Sequence, residues 1–489
     1  MTTISLSEIL AFNADRLGAG AVALKHGAES VTWEELDRRS TRRAWALKAA
    51  GVIQDDLVTI ALPNGSLFYE FTFALWKIGA TPHVVSSRLP LRELAAIVET
   101  ANPRLILASS LPLVQGLNAF DPTNLIENRD EPLPPVVARH WKAMSSGGST
   151  GRPKIILDHK PAQVDQEQRF LGIPSGEVIV NPGPLHHNAP FTLTHHALFY
   201  GSAVVGMTKF DPEETLRLIA ENRASWICLV PTMMRRIWQL PSTVREKYDL
   251  SSLKTVWHLG ASTPKWLKEF WLDWLGPDRI WELYGGTEGV GGTVISGKEW
   301  LEHPGSVGKP VNCDIRILDE RDSPLPAGEI GEVFMRPLGG AGTTYHYIGA
   351  DARVSDDGYE SIGDFGWLDE DGYLYISDRR TDLIVSGGVN IYPAEVEAVL
   401  MEHPEIDDVV VIGLPHEDFG AAVHAILSPR PGCGESLGHE ELSEFLGSRL
   451  ARYKHPKSYE ITHEPLRDEA GKVRRSRLRE ERINNSSFA

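Results

Sequence analysis

Cysteine is scarce in this sequence, and the three present, Cys228, Cys313 and Cys433, are scattered. They form neither a disulfide framework nor a metal-ligand spacing, which fits a reducing compartment. Positive charge is also short. The 49 lysines and arginines face 66 aspartates and glutamates, for a net charge of −17. That balance argues against a general binder of nucleic acid or of anionic membranes. No apolar run approaches the ~18 residues of a membrane span. The N-terminus lacks a basic region followed by an apolar core, so no secretory signal is read and a cytoplasmic location is expected. No G-x-G-x-x-G occurs, which argues against a dinucleotide-binding Rossmann site. His186, His187, His195 and His196 invite a metal reading. No H-E-x-x-H and no third ligand accompany them, so hydrogen-bonding histidines are the better expectation.

What the chain does have is length and regular alternation. Its 489 residues, 42% of them hydrophobic, suffice for two or more cores. Thr32 with Glu35 is a capping-box pair opening a helix that should stop at Gly51. Residues 57–62 read as a strand, 67–78 as a helix closed by Gly79, 91–100 as a helix and 105–107 as a strand. Strands are expected again at 155–157, 178–180 and 226–230. Asp211-Pro212-Glu213-Glu214 is a helix start with a cap, a first-turn proline and acids at the positive end of the dipole. This alternation predicts an α/β fold with a largely parallel sheet. From residue 306 to 337 short alternating stretches broken by Pro324, Pro326 and Gly328 predict antiparallel β structure beside it. Helices at 393–401 and 440–450 and strands at 409–412 and 424–427 predict a small α+β unit at the end.

The chain's most informative stretch is Ser145-Ser146-Gly147-Gly148-Ser149-Thr150-Gly151-Arg152-Pro153-Lys154. A loop with so little Cβ bulk can converge backbone N–H groups on an anion. Its hydroxyls add donors and Lys154 adds a mobile charge, which is the chemistry of a polyphosphate cradle. A Walker-type loop fails, because Arg152 or Pro153 stands where its second glycine belongs. Gly147 to Gly151 does fit G-x-S-x-G, the elbow of serine hydrolases with Ser149 as nucleophile. Such an elbow must run into a helix, and Pro153 before a β-branched run argues against one. A plain surface turn competes about evenly on this stretch alone.

Further stretches break the tie. With Ser146 to Lys154, the chain resembles the adenylate-forming superfamily of acyl-CoA synthetases, adenylation domains and luciferases, whose loop reads roughly S-G-[ST]-T-G-x-P-K. Downstream, Tyr284-Gly285-Gly286-Thr287-Glu288 is similar to the superfamily's Y-G-x-T-E. Tyr359 to Asp364 resembles its Y-x-[ST]-G-D with one residue more, and Asp378-Arg379 its hinge approach. Leu466 to Val473 resembles P-R-x-x-x-G-K-[VI], with leucine in place of proline.

The resemblance implies a two-step ligase: a carboxylate attacks Mg·ATP to give an acyl-adenylate and pyrophosphate, and a thiol, coenzyme A, then takes the acyl group. It implies a phosphate cradle from Ser145, Ser146, Gly147, Gly148, Ser149, Thr150, Gly151 and Lys154. It places Gly260, Ala261 and Ser262 along the adenine and acyl sites. Tyr284 and Gly285 lie beside adenine, Thr287 on the α-phosphate, Glu288 on Mg²⁺, and Asp364 and Arg379 on the ribose. His187 stands beside an acyl pocket that also takes Asn188, Phe191, Thr232, Met233, Met234 and Val290. Lys472 is the matching catalytic lysine, and Gly387 and Gly388 line the path to the thiol. The implied division is residues 1–380, an α/β part with a small β-barrel-like region, and 381–489, a mobile unit. Thr381 stands at the hinge, with Asp382 the alternative. The expected substrate is a hydrophobic carboxylate of fatty-acid or bile-acid type. A carrier-protein thiol as acceptor, the hydrolase reading and a non-catalytic nucleotide module remain as alternatives, and a homodimer stays open.

Overall fold

The computed structural model describes residues 3–109, 119–147, 153–379, 382–386, 389–416, 418–430, 432–433, 437–447, 449–468 and 471–484. Two large sheets carry the first two thirds of the chain. The first has seven strands in the order Tyr345–Ile348, Pro153–Asp158, Ala143–Gly147, Thr81–Val84, Leu57–Ala61, Leu105–Ala108 and Ala119–Phe120. The last five run parallel, and the first two join antiparallel. The second sheet has nine strands. Its centre is six parallel ones, Ile280–Gly285, Thr255–Leu259, Trp226–Leu229, Val178–Asn181, Ala203–Gly206 and Val22–His26.

The helix Ser66–Lys77 explains how two sheets share one core. Every residue from Phe68 to Lys77 is buried, as expected for a helix enclosed on all sides. Phe68, Phe71, Phe73 and Trp76 cluster with Val58, Ile60 and Val84 of the first sheet and Ile179 and Val204 of the second. Each such side chain contributes roughly 1.5–3 kcal/mol of burial. The charges caught in this packing are paired: Glu70 with Arg43 at 3.2 Å and Lys77 with Asp37 at 2.5 Å.

The two expected helix caps form, but the Thr32–Glu35 box is only half made. Thr32 accepts a hydrogen bond from the Glu35 backbone and starts the helix Trp33–Ala49. Glu35 itself turns to Arg39. Asp211 caps Pro212–Asn222 through the Glu214 backbone.

The antiparallel structure expected at 306–337 is present as Cys313–Leu318 and Gly331–Pro337, in a five-stranded antiparallel sheet completed by Arg353–Val354, Glu360–Leu368 and Leu374–Arg379. The chain ends in a three-stranded sheet, Ile406–His416, Gly420–Pro429 and Ser458–Ile461, with the helices Pro393–Leu400 and His439–Gly447. Ile384, Val396, Leu400, Val409, Val411, Val423 and Leu446 give it a core of its own. Among the described residues no helix is long and apolar enough to cross a membrane.

Candidate active site

Four neighbouring parallel strands of the second sheet, Val178–Asn181, Trp226–Leu229, Thr255–Leu259 and Ile280–Gly285, point their C-terminal ends the same way. The segments leaving those ends therefore line one crevice, the usual place for a ligand in such sheets. They bring together His187, Thr232, Gly260 and the turn from Tyr284 to Gly291. His187 ends its segment as the N-cap residue of the helix Asn188–Phe199, and its ring meets that of His186 at a 39° tilt with centres 4.4 Å apart. Gly260 has φ +87°, a conformation that favours glycine; Ala261 and Ser262 follow, exposed.

The turn after Tyr284 is the tip of an antiparallel hairpin in which Gly285 faces Gly292. A Cβ on Gly292 would lie 2.4 Å from the Tyr284 carbonyl oxygen, so only glycine lets the strands close there. The tip holds Thr287 half-buried and Glu288 buried. Residues from the first sheet meet Glu288. The Tyr347 hydroxyl donates to its Oε1 at 2.6 Å. Lys154 Nζ donates to that same hydroxyl at 2.7 Å and stands 3.4 Å from the carboxylate. The ammonium also sits 3.9 Å from the centre of the Tyr347 ring, a favourable cation–π distance. Burial and the Glu288 charge push the Tyr347 phenol up, so the hydroxyl stays a donor. On the other side of the tip, Tyr284 donates to Asp364 Oδ2 at 2.6 Å. Asp364 is buried, and its strand partner is Arg379.

The Ser/Gly-rich stretch departs from a simple loop. Residues Ser145 to Gly147 complete the strand Ala143–Gly147, which pairs antiparallel with Pro153–Asp158. Lys154 is thus a strand residue opposite Ser146. Strand, not helix, follows Pro153, so the serine-hydrolase elbow is excluded. The Ser145 hydroxyl lies 2.7 Å from Nε2 of His83, whose Nδ1 meets Thr59 at 2.9 Å. Complete burial holds His83 neutral, its pKa lowered to about 3. Ser146, Gly147 and Arg379 are described by backbone alone. Gly148, Ser149, Thr150, Gly151, Thr381, Gly387 and Gly388 lie outside the described residues.

The C-terminal unit reaches the same crevice. Gly471, at φ +75°, packs so closely that a Cβ there would stand 2.7 Å from Thr232 Oγ1. Lys472 follows it on a turn in which Asp468 Oδ1 accepts from the Lys472 backbone N–H at 2.9 Å. His187 feels that approach. Burial, His186, Lys472 and Arg474 together lower its pKa to about 2. Two of the arginines around Lys472 are paired to other segments. Arg474 pairs with Glu93 at 3.0 Å and Arg475 with Asp382 and Glu397 at 2.7 Å each. A further contact across the seam is Asp407, which accepts from Gln239 at 2.7 Å and from Arg235 at 3.3 Å.

Other residues expected along the acyl wall are packed or hydrogen-bonded within the protein. Phe191 is fully buried among Phe68, Trp76, Trp141 and His195, and Met234 is fully buried in the second core. Asn188 accepts from Thr192 within its own helix. Val290 is buried with Cys313 and Met335. Among the described residues no group of three or more histidines, cysteines or carboxylates could hold a metal ion. A single buried carboxylate such as Glu288 fits a Mg²⁺ shared with phosphates, since that ion keeps waters and takes one or two protein carboxylates. Sequence reading missed His83 and Tyr347, which carry no local motif and reach the site through sheet pairing.

The family model for AMP-binding enzymes matches residues 11–347, and that for the AMP-binding enzyme C-terminal domain matches 395–472. The chain is 32% identical over 482 residues to a feruloyl-CoA synthase of Amycolatopsis sp, covering 95% of this chain and 96% of that protein. It is 26% identical over 475 residues to a long-chain-fatty-acid–CoA ligase of Mycobacterium tuberculosis, covering 92% and 93%. Its structure is similar to that of o-succinylbenzoate CoA synthetase from Bacillus subtilis in complex with the acyl-adenylate OSB-AMP. There the TM-score is 0.83 at 25% identity, covering 98% of both chains.

Proposed function

The chain belongs to the family of AMP-binding enzymes as an AMP-forming acid–thiol ligase, and we propose that it activates a carboxylic acid with ATP and passes the acyl group to coenzyme A. The observation that carries the reading is the convergence of Lys154, Glu288, Tyr284 and Asp364 with the Lys472 turn around one crevice. In the proposed first step a carboxylate oxygen attacks the α-phosphorus, an acyl–phosphate bond forms, and pyrophosphate leaves. Lys154 and the 145–151 stretch bind the outer phosphates, Thr287 the α-phosphate, and Glu288 the Mg²⁺ that neutralises phosphate charge. The Tyr284 ring flanks adenine with Gly285, Gly260, Ala261 and Ser262 near it, while Asp364 and Arg379 take the ribose. Lys472 places its ammonium between carboxylate and α-phosphate as charge develops. His187 walls the acyl side, neutral throughout the working range. In the second step a CoA thiolate attacks the acyl carbon and AMP leaves. Residues 1–380 supply the nucleotide and acyl sites and 381–489 the moving unit, with Gly387 and Gly388 along the thiol path.

The substrate is set wider than a fatty or bile acid. The relatives are named for an aromatic propenoate, a succinylbenzoate and a long-chain fatty acid, so the acyl group is an aromatic or aliphatic carboxylate with an apolar body. The test is pyrophosphate release from ATP across ferulate, 2-succinylbenzoate, fatty and bile acids, with and without CoA. Release with at least one acid, and a thioester once CoA is added, is expected. ADP as product, or no adenylate from any acid, overturns the proposal. Adenylate without thioester points to a carrier-protein acceptor.

A further inference from the structure

Tyr347 comes from the far edge strand of the first sheet, Tyr345–Ile348, yet it touches both charged groups proposed to handle ATP. Its hydroxyl has one proton, and the geometry fixes where it goes. Glu288 Oε1, an acceptor only, lies 2.6 Å away, and Lys154 Nζ, a donor only, lies 2.7 Å away. The phenol therefore donates to the carboxylate and accepts from the ammonium. Its position is set independently of both partners. Tyr347 pairs with Ile156 across the strands, and its ring meets buried Tyr345 edge-on at 4.8 Å. Lys154 is the mobile member, a flexible stem ending over the Tyr347 ring. The other carboxylate oxygen, Oε2, lies over Gly286, 2.7 Å from where a Cβ would stand.

We propose that Tyr347 is a positioning residue for the adenylation step: it fixes one oxygen of Glu288 and holds Lys154 beside it until Mg·ATP draws the two charges apart. This rests on the reading of Glu288 as the Mg²⁺ carboxylate. With the hydroxyl in place Lys154 and Glu288 form only a long 3.4 Å contact; without it the pair closes further and Glu288 loses its second anchor, so its carboxylate is less ready for a metal. The phenol thus serves Mg²⁺-dependent ATP binding and contributes nothing to AMP, which needs no metal.

The test is equilibrium binding by the full-length enzyme without any carboxylic acid, so that ATP is not consumed. ATP affinity is titrated against Mg²⁺ by calorimetry, and AMP affinity is measured without metal, for wild type, Tyr347→Phe and Glu288→Gln. Tyr347→Phe keeps the ring, the cation–π contact and the strand. It is expected to raise the Mg²⁺ concentration for half-maximal ATP binding about tenfold, the worth of one hydrogen bond to a charged group, and to leave AMP affinity within about twofold. Equal loss of ATP and AMP affinity, or an unchanged Mg²⁺ requirement in Tyr347→Phe while Glu288→Gln shifts it, overturns the positioning role and leaves the metal reading standing. If Glu288→Gln leaves the Mg²⁺ requirement unchanged, the metal reading falls and the positioning role with it.

Discussion

Tyr284 donates a 2.6 Å hydrogen bond to Oδ2 of Asp364, tying the hairpin tip of the nine-stranded sheet to the five-stranded antiparallel one. Both residues are proposed nucleotide ligands, so the tie sets the ring plane and the carboxylate together. Tyr284→Phe should keep the ring and lose the tie, lowering AMP affinity about tenfold, as for a hydrogen bond to a charged group. Asp364→Asn should cost at least as much. The double variant should lose less than the two combined, because the residues act as one unit. Equilibrium AMP binding by the four proteins checks this, and additive losses would refute the coupling.

His83 predicts a pH dependence of stability. An unfolded histidine titrates near 6.5, whereas the folded His83 is lowered to about 3 by burial. Between those values the unfolded chain binds a proton that the folded chain does not, so stability is fully present above about pH 6.5 and is lost as pH falls towards 3. From pH 6.5 to 5 that amounts to about 2 kcal/mol for one such group. His195 and His196, lowered to about 3 and about 4 by burial, act with the same sign. Urea midpoints at pH 7 and pH 5 should therefore differ in wild type and differ less in His83→Gln. Equal shifts in both proteins would show that His83 titrates normally.

The contrast between Thr32 and Tyr347 shows what the sequence made legible. A cap is a contact over three residues, so Thr32 and Asp211 announce their helices. The parallel strands ending near His187 and Tyr284 are short apolar runs between helices, and their alternation carries the fold class. The ordered short motifs marked Lys154, Tyr284, Glu288, Asp364 and Lys472. Illegible were the features made by pairing distant segments. Ser145 to Gly147 read as loop by composition, yet the neighbouring strands impose extension on them. The strand Ile406–His416 runs well past the expected 409–412, because its ends are held by the partner Gly420–Pro429 rather than by their own propensity. Buried Lys268 pairs with Glu282, which faces His258 across the strands; no pattern in the chain foretells which charges are enclosed.

Asp407 gives a prediction about the seam. Arg235 is 8% exposed, and burial lowers its pKa, so it depends on the Asp407 carboxylate of the C-terminal unit. If this arrangement is the one that forms the adenylate, Asp407→Ala should slow pyrophosphate release several-fold by loosening the docked unit. Reaction of pre-formed acyl-adenylate with CoA should stay near the wild-type rate. Single-turnover measurement of each half-reaction decides, and equal slowing of both would contradict a contact specific to this arrangement.

Gly471 offers the sharpest test of how the Lys472 turn is used. Two independent features demand glycine there: φ +75° and the 2.7 Å that would separate an added Cβ from Thr232 Oγ1. Gly471→Ala should keep the turn from seating on Thr232 and so withdraw the Lys472 ammonium from the crevice, with Lys472 itself intact. Its effect on adenylation should approach that of Lys472→Ala, which removes one electrostatic contact to developing charge and should slow that step ~10²–10³-fold. Thr232→Ser removes a methyl and keeps the hydroxyl in the way, so it should not rescue Gly471→Ala. Thr232→Gly clears the clash and should recover part of the rate, leaving only the cost of the positive φ. If the small unit moves away before thioester formation, both Gly471→Ala and Lys472→Ala should still convert synthetic acyl-adenylate and CoA to thioester at near wild-type rate. Loss of both half-reactions in Lys472→Ala, with the fold intact by circular dichroism, would rule out a role confined to adenylation. Loss of both in Gly471→Ala alone would mean instead that the turn is needed for the fold of the C-terminal unit. There Leu466 packs on Val410, Ile412 and Ile426 just before it.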